Sequence, residues 1–203
     1  MNGFGYFDAI RYICPIGGLT WEGMQARFQK LDIASRVEPV FTTPTPAEER
    51  IGVLLAHRDI VRKSSEQGAK SVLVLSDDVH FLDSAADLLP QAVAELEKVE
   101  WTLFYLGGWS PSVLEPKPGC RFLDQAREVS VPHAVAYHHR VFPRVLADWP
   151  TETAEVADWV ARSGGVETYL ANIEDAVVAH PVLTTVPALL PFEAADMQRR
   201  FTI

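Results

Sequence analysis

The sequence has few cysteines and fewer basic than acidic residues. Cys14 and Cys120 are the two cysteines among 203 residues, and neither lies in a CxxC or Cys/His spacing. We therefore expect reduced cysteines, because neither a disulfide framework nor a zinc site fits this pattern. Lys and Arg number 18 against 27 Asp and Glu, so the formal net charge is −9. An acidic chain gains little from counterion release on a polyanion, which argues against nucleic acid as a partner.

A long uninterrupted apolar segment and a secretory signal are also lacking. The charge-free stretch 176–192 contains Pro181, Pro187 and Pro191, which makes it a poor membrane helix. The N-terminal residues show no basic start followed by an apolar run. We predict a cytoplasmic protein without a transmembrane segment, and peripheral contact with a membrane surface through a partner stays open.

Several catalytic signatures are absent. The sequence contains no Gly-Lys-Ser/Thr phosphate loop, no GxSxG nucleophile motif and no HExxH zinc motif. Gly3 and Gly5 have the first spacing of a dinucleotide-binding fingerprint, but position 8 is Asp8. These absences argue against a P-loop NTPase, an α/β-hydrolase, a zinc hydrolase and a Rossmann dehydrogenase.

Apolar residues make up 48% of the chain, enough for a sizeable core. Apolar runs that predict strands alternate with helical patterns through residue 106, which favours a parallel sheet. We predict one α/β domain over residues 1–203, with a mostly parallel sheet flanked by helices. The predicted strands are 10–14, 37–42, 71–75, 101–106 and 129–137; the predicted helices begin near 21, 46, 85, 140 and 153, and the C-terminal part is irregular.

Three helix-end signals accompany these patterns. Thr45, Pro46 and Glu48 form a predicted N-cap, first helical position and capping box. Gly68 is placed to end the same helix, and Pro90 predicts a kink or a second start in the next one.

Two adjacent carboxylates follow the most apolar predicted strand. Asp77 and Asp78 follow residues 71–75 after the single residue Ser76, at the edge where open parallel sheets bind ligands. Paired carboxylates repel unless a positive group lies between them, and a divalent cation that bridges phosphates supplies that charge. The alternatives are that both are loop or capping residues, or that one accepts a phosphoryl group as in receiver domains. Receivers carry their acidic pair near the chain start, which disfavours the last reading.

Two further segments are candidates for the pocket. Gly107, Gly108 and Trp109 follow a predicted strand, where the glycines allow close approach of a ligand and the indole offers a stacking face. An ordinary turn beside a partly buried Trp is the competing explanation. His133 begins the segment HAVAY and is a candidate ligand contact, although a structural histidine is the commoner case.

Seven short segments follow one another in an order that resembles a known family: WEGM at 21–24, GVLLAH at 52–57, VLVLSDDV at 72–79, YLG at 105–107, HAVAY at 133–137, VETYL at 166–170 and ADM at 195–197. That family is glycosyltransferase family 25, the lipooligosaccharide galactosyltransferase-like enzymes. Four departures from its pattern stand out: Ser76 replaces the Glu before the aspartate pair, Gly17 and Gly18 stand in place of an arginine-rich segment, Ala56 replaces a Ser, and Glu167 replaces an Asp.

The resemblance implies a GT-A type nucleotide-sugar-binding fold and transfer of a hexose from a UDP-sugar to a hydroxyl of a saccharide or other acceptor. It implies that Asp77 and Asp78 hold a divalent metal, manganese or magnesium, which bridges the diphosphate. Glu167 is the expected base for the acceptor hydroxyl, and Gly107, Gly108, Trp109 and His133 are expected to line the binding pocket. The alternative is a catalytically impaired binding or regulatory module in polysaccharide biosynthesis, such as that of lipopolysaccharide, because Ser76 removes one acidic group.

Overall fold

The computed structural model describes residues 2–15, 21–42, 49–110 and 113–186. Within these ranges, nine strands and six α-helices follow a short 3₁₀ helix at Gly3–Tyr6. In chain order they are β1 (Ala9–Pro15), α1 (Trp21–Lys30), β2 (Val37–Thr42), α2 (Glu49–Glu66), β3 (Ser71–Leu75), β4 (His80–Phe81), α3 (Ala85–Leu96), β5 (Leu103–Trp109), β6 (Leu123–Gln125), β7 (Ser130–His138), α4 (Phe142–Asp148), α5 (Thr153–Ser163), α6 (Gly165–Ala171), β8 (Val177–Ala179) and β9 (Thr184–Thr185).

Seven strands form the main sheet, in the order β2-β1-β3-β7-β5-β8-β6. β1 pairs in parallel with β2 and β3, and β5 pairs in parallel with β8. β7 lies antiparallel between β3 and β5, and β6 is antiparallel to β8. Strands β1, β2, β3, β5 and β8 therefore run in one direction, which confirms the predicted mostly parallel α/β sheet. The antiparallel β7 rules out the all-parallel sheet of a receiver domain.

Helices cover both faces of the sheet. Side chains alternate along β3, so Leu73 and Leu75 enter one core while Val72 and Val74 enter the other. The first core contains α1 and α3, and the second contains α2, α4, α5 and α6. All five residues of β3 are buried, as its continuous apolar run predicted.

The helix-end predictions meet different outcomes. Gly68 has a φ of 69°, and its amide donates to Ser65 O while Ala69 N donates to Ser64 O. This is a Schellman ending, so Gly68 terminates α2 as predicted. Pro90 lies inside α3, which continues through it as one helix. The predicted cap at 45–48 lies outside the described residues.

Two boundary predictions are wrong. The strand expected to end at residue 106 continues through Trp109, with register shifts against β7 after Tyr105 and again after Gly107. The C-terminal part, expected to be irregular, contributes the short strands β8 and β9. Among the described helices, none combines the length and apolar character that crossing a bilayer requires.

Candidate functional site

The order in which strands are added to the sheet reverses at β1. Strands β2 and β3 lie on opposite sides of β1, and the connecting helices α1 and α2 pack in opposite cores. In open α/β sheets such a reversal leaves a crevice outside the carboxyl ends of the two strands, where ligands bind. We call this place the switch-point crevice and define it by Tyr12, Arg27, Asp77, Asp78 and His80.

Ser76 fixes the start of the acidic segment. Its backbone amide donates to the His133 carbonyl at 2.9 Å, which continues the pairing of β3 with β7 by one residue. Its hydroxyl lies 2.6 Å from Asp78 Oδ1 and 3.1 Å from the same carbonyl. Ser76 can therefore donate to the carboxylate and orient Asp78, where a Glu would repel it.

Tyr12 links the first strand to Asp77. The Tyr12 hydroxyl donates to the Asp77 carbonyl oxygen at 3.3 Å, and its ring packs against Trp21 and Phe28. Burial raises the pKa of Tyr12, and the negative charge of Asp77 adds to the effect, so the hydroxyl remains a donor. Tyr12 thus holds the backbone of the aspartate pair against α1.

Cys14 also lies at the carboxyl end of β1. Burial raises the pKa of its thiol, and the negative charge of Asp77 adds to the effect. A neutral thiol is a poor nucleophile, so the site gives Cys14 a packing role. Cys14 and Cys120 are both present as thiols, in line with the expectation of reduced cysteines.

Arg27 brings a positive charge from α1 to the same crevice. One of its terminal nitrogens, Nη1, donates to the Val79 carbonyl at 3.4 Å and lies 3.1 Å from His80 Nε2. Burial and the Arg27 charge lower the pKa of His80, while Asp78 acts in the opposite direction. The neutral ring can accept a hydrogen bond from Arg27, and the crevice combines one cation with two carboxylates.

The structure places His133 beside the aspartates but gives Gly107 a packing role. His133 is buried as the fourth residue of β7, and its carbonyl accepts a hydrogen bond from the Ser76 amide. A Cβ at Gly107 would lie 2.0 Å from the Thr184 carbonyl oxygen, so only glycine allows the strand carrying Thr184 to pack here. The interpretation of Gly107 to Trp109 as a turn is wrong, because these residues continue β5.

Trp109 is the exposed end of that strand. Its side chain is 50% exposed, and its carbonyl accepts from the Ser130 hydroxyl at 3.2 Å. The carboxyl end of β5 lies on the same edge as that of β3, with β7 between them. Trp109 pairs with Ser130 of β7, so it lies on the same edge as the aspartate pair but two strands away from β3. Gly108 is half-buried beside it.

Glu167 lies on a different part of the molecule. It is exposed on α6, whose buried Leu170 belongs to the second core. The residue that follows the aspartate pair, Val79, belongs to the first core on the other face. Glu167 and the aspartate pair are thus carried by segments that pack on opposite faces of the sheet.

The aspartate pair fits a metal ion that arrives with a phosphate ligand. Across the described ranges, no three His, Cys, Asp or Glu side chains converge to hold a cation unaided. Asp77 and Asp78 supply two carboxylates, and one oxygen of Asp78 already accepts from Ser76. Magnesium is commonly held by one or two carboxylates together with substrate phosphates and waters. The donor set suits that arrangement and does not form a closed protein cage.

A cavity of about 500 Å³ opens on the face opposite the first core. Residues of α2, α4 and α5 line it, among them Arg58, Trp149, Asp158 and Arg162. Because Trp149 packs in the second core, this cavity is separated from the switch-point crevice by the sheet.

Sequence reasoning missed Tyr12, Arg27 and His80. Tyr12 reads as an ordinary apolar strand residue, and Arg27 as a solvated residue beside the buried Phe28. His80, two positions beyond Asp78, carried the clearest signal, because a site at the end of a strand extends into the residues that follow.

Comparison with known proteins finds distant structural similarities to solved structures. No family model and no curated protein sequence matches this chain. A glycosyltransferase involved in glycosylation of the major capsid of the virus PBCV-1 aligns with a TM-score of 0.37 and 11% identity, over 84% of this chain and 80% of the viral protein. The mannose-1-phosphate geranyltransferase of Thermus thermophilus aligns with a TM-score of 0.41 and 17% identity, over 82% of this chain and 58% of that protein. At these TM-scores, neither similarity determines what this chain does.

Proposed function

We propose that this chain transfers a hexose from a UDP-sugar to a hydroxyl of a saccharide or another acceptor, with the help of manganese or magnesium. The observation that carries the proposal is the position of Asp77 and Asp78, separated only by Ser76 from the end of a fully buried strand and at the switch-point crevice. The ordered motifs that resemble glycosyltransferase family 25, with the GT-A type fold they imply, support the same reading.

In this proposal Asp78 and Asp77 hold the metal ion together with the donor diphosphate. The bound ion supplies charge compensation for the departing UDP. Ser76 orients Asp78 through its 2.6 Å hydrogen bond, and Tyr12 holds the Asp77 backbone. His133 supports Ser76 through its carbonyl, so it shapes the donor side of the pocket.

The acceptor side would lie toward β5. Trp109 offers an exposed indole for stacking against a sugar ring, Gly108 lets a ligand approach the backbone, and Gly107 fixes the strand by close packing. Glu167 stays our predicted base, since such a carboxylate needs hydrogen-bond reach to the acceptor hydroxyl. Its position on α6, on the second core, weighs against that role.

The direct test is calorimetry with UDP-hexoses in the presence of manganese, followed by a transfer assay. We expect wild type to bind, and Asp78→Asn to weaken binding by at least about tenfold, because it removes a charged ligand of the metal. Asp83→Asn is the matched control, since Asp83 is an exposed carboxylate five positions further along the chain. No binding by wild type, or equal binding by Asp78→Asn, would overturn the proposal.

A binding module without transferase activity is the second candidate. It is favoured by Ser76, which stands in place of a carboxylate and occupies one oxygen of Asp78. Nucleotide-sugar binding that depends on Asp78, with neither transfer to acceptors nor hydrolysis of the donor, would favour this candidate over the enzyme.

A further inference from the structure

Arg27 is a half-buried cation that lacks a carboxylate partner in the part of the chain described. None of the ion pairs found among the described residues includes it. Within the described residues, its hydrogen-bonding contacts are with two neutral groups, the Val79 carbonyl and the His80 ring. Partial removal of a guanidinium from water is unfavourable unless charge or strong hydrogen bonds compensate it. An anionic ligand would supply that compensation.

The contacts of Arg27 leave some of its N–H groups available to bind a ligand. Both involve Nη1, while Nε and Nη2 make no hydrogen bond with the described residues. A guanidinium carries its N–H groups in a planar fork, which suits two oxygens of one phosphate. Nη1 anchors the group, so the remaining donors are held in place before a ligand arrives.

The guanidinium group of Arg27 lies close to the aspartate pair. Val79 and His80, which Arg27 contacts, follow Asp78 directly along the chain. Arg27 itself is one residue before Phe28, whose ring packs on Tyr12, and the Tyr12 hydroxyl contacts Asp77. The cation and both carboxylates therefore converge at the carboxyl ends of β1 and β3.

We propose that Arg27 binds a phosphate group of the donor diphosphate in the switch-point crevice. This inference rests on the proposed function and adds a residue to it. Two carboxylates and a diphosphate together carry more negative charge than one divalent ion neutralises, and Arg27 supplies a fixed positive charge beside them. Arg27 is then a specificity-determining residue, since a ligand without phosphate gains nothing from it.

The experiment compares Arg27→Gln and Arg27→Lys with wild type, using UDP, uridine and inorganic pyrophosphate as probes in calorimetry with and without manganese. Arg58→Gln is the matched control. Arg58 is also half-buried, forms no ion pair among the described residues and donates to backbone carbonyls, those of Trp149 and Leu146. It lies on the opposite face, in the cavity between α4 and α5.

We expect Arg27→Gln to weaken UDP and pyrophosphate binding by about tenfold or more, the range for a charge-assisted hydrogen bond, and to leave uridine binding unchanged. Arg27→Lys should lose less, because it keeps the charge without the fork. Arg58→Gln should bind all three probes as wild type does. A wild-type measurement guards against misfolded variants: UDP should protect Arg27 from phenylglyoxal, as mapped by mass spectrometry.

The outcomes separate this inference from the proposed function. Wild-type binding of UDP that is unchanged in folded Arg27→Gln, or modification of Arg27 at the same rate with UDP present, overturns the role of Arg27 alone. Arg27-dependent binding of pyrophosphate without binding of UDP supports the anion site and overturns the nucleotide-sugar donor. Failure of wild type to bind either probe overturns both.

Discussion

The two halves of the sheet differ in how their strands end. In the parallel half, β2, β1 and β3, the carboxyl ends carry half-buried charged groups, with Asp77 and Asp78 after β3 and Arg27 reaching in from α1. In the mixed half, β7, β5, β8 and β6, the edge is closed by packing. Leu183 donates to the Leu106 carbonyl at 2.7 Å, and Thr184 lies directly over Gly107.

The polar groups buried against the mixed half stabilise the fold and do not form a ligand site. The Tyr137 hydroxyl lies 2.9 Å from His57 Nδ1, and both side chains are buried. The Tyr105 hydroxyl is buried without a hydrogen-bond partner in the described ranges, and burial raises the pKa of both tyrosines. These groups stay neutral and out of reach of a ligand. We therefore expect substitutions in the parallel half to reduce binding and those in the mixed half to reduce stability.

The largest expected effect on stability is at Gly107. A methyl group there would collide with the Thr184 backbone, which cannot move aside as a flexible side chain can. We expect Gly107→Ala to lower the free energy of unfolding by about 3 kcal/mol or more, at the upper end of overpacking effects. Urea denaturation followed by circular dichroism measures it.

Gly68→Ala calibrates that result. Gly68 has open space around its missing Cβ but a φ of 69°, so alanine there meets only backbone strain, about 1 kcal/mol. If Gly107→Ala costs no more than Gly68→Ala, the edge of the mixed half is not closed by packing, and the comparison between the halves breaks.

The next effect is a loss of stability in acid that comes from His57. Burial lowers the pKa of His57 to about 4, from an ordinary value of 6.5. As the pH falls below the ordinary pKa, His57 becomes protonated in the unfolded chain but stays neutral in the folded protein. The free energy of unfolding therefore decreases until the pH reaches the pKa of the folded state. Between about pH 7 and pH 4.5 this group should remove roughly 2 to 3 kcal/mol.

His57→Gln isolates that contribution from the other titrating groups. The variant should be less stable near neutral pH, because it loses the contact with Tyr137, but it should lose less stability than wild type on acidification. Urea denaturation of both proteins across the pH range gives the two slopes. Parallel slopes would mean that His57 is reached by protons in the folded state, and the second core between α2 and β7 would then not be sealed from water.

The parallel half follows from the sequence because its signals are local. The run at 71–75 is apolar at every position except Ser71, and its two flanking helices show a three- and four-residue apolar spacing. The position of Asp77 and Asp78 at the binding edge could be inferred from these elements, since the carboxyl ends of parallel strands share one edge. Arg27 and Tyr12 could not, because only the packing of α1 on β1 brings them to that edge.

The mixed half depends on contacts between distant parts of the chain. β8 has three residues and pairs with Phe104 and Tyr105 of β5, more than seventy positions earlier. β9 has two residues and pairs with His80 and Phe81. Segments this short have no measurable periodicity, so tertiary pairing decides their structure. The sequence around Gly107 likewise suggests a turn, because its contact with the distant Thr184 leaves no local signal.

The smallest effect is expected at Trp109, which lies in the mixed half but is exposed. If its indole stacks on an acceptor sugar, Trp109→Ala should raise the acceptor KM by about threefold to tenfold, the range for an aromatic contact, and leave UDP affinity and unfolding unchanged. Phe41→Ala is the matched control: Phe41 is 59% exposed near the carboxyl end of β2, two strands from β3 on the other side. An equal change of the acceptor KM in both variants would mean that the change comes from general surface effects. A change in Trp109→Ala alone would place the acceptor beyond β7, so that the mixed half also binds at its exposed end.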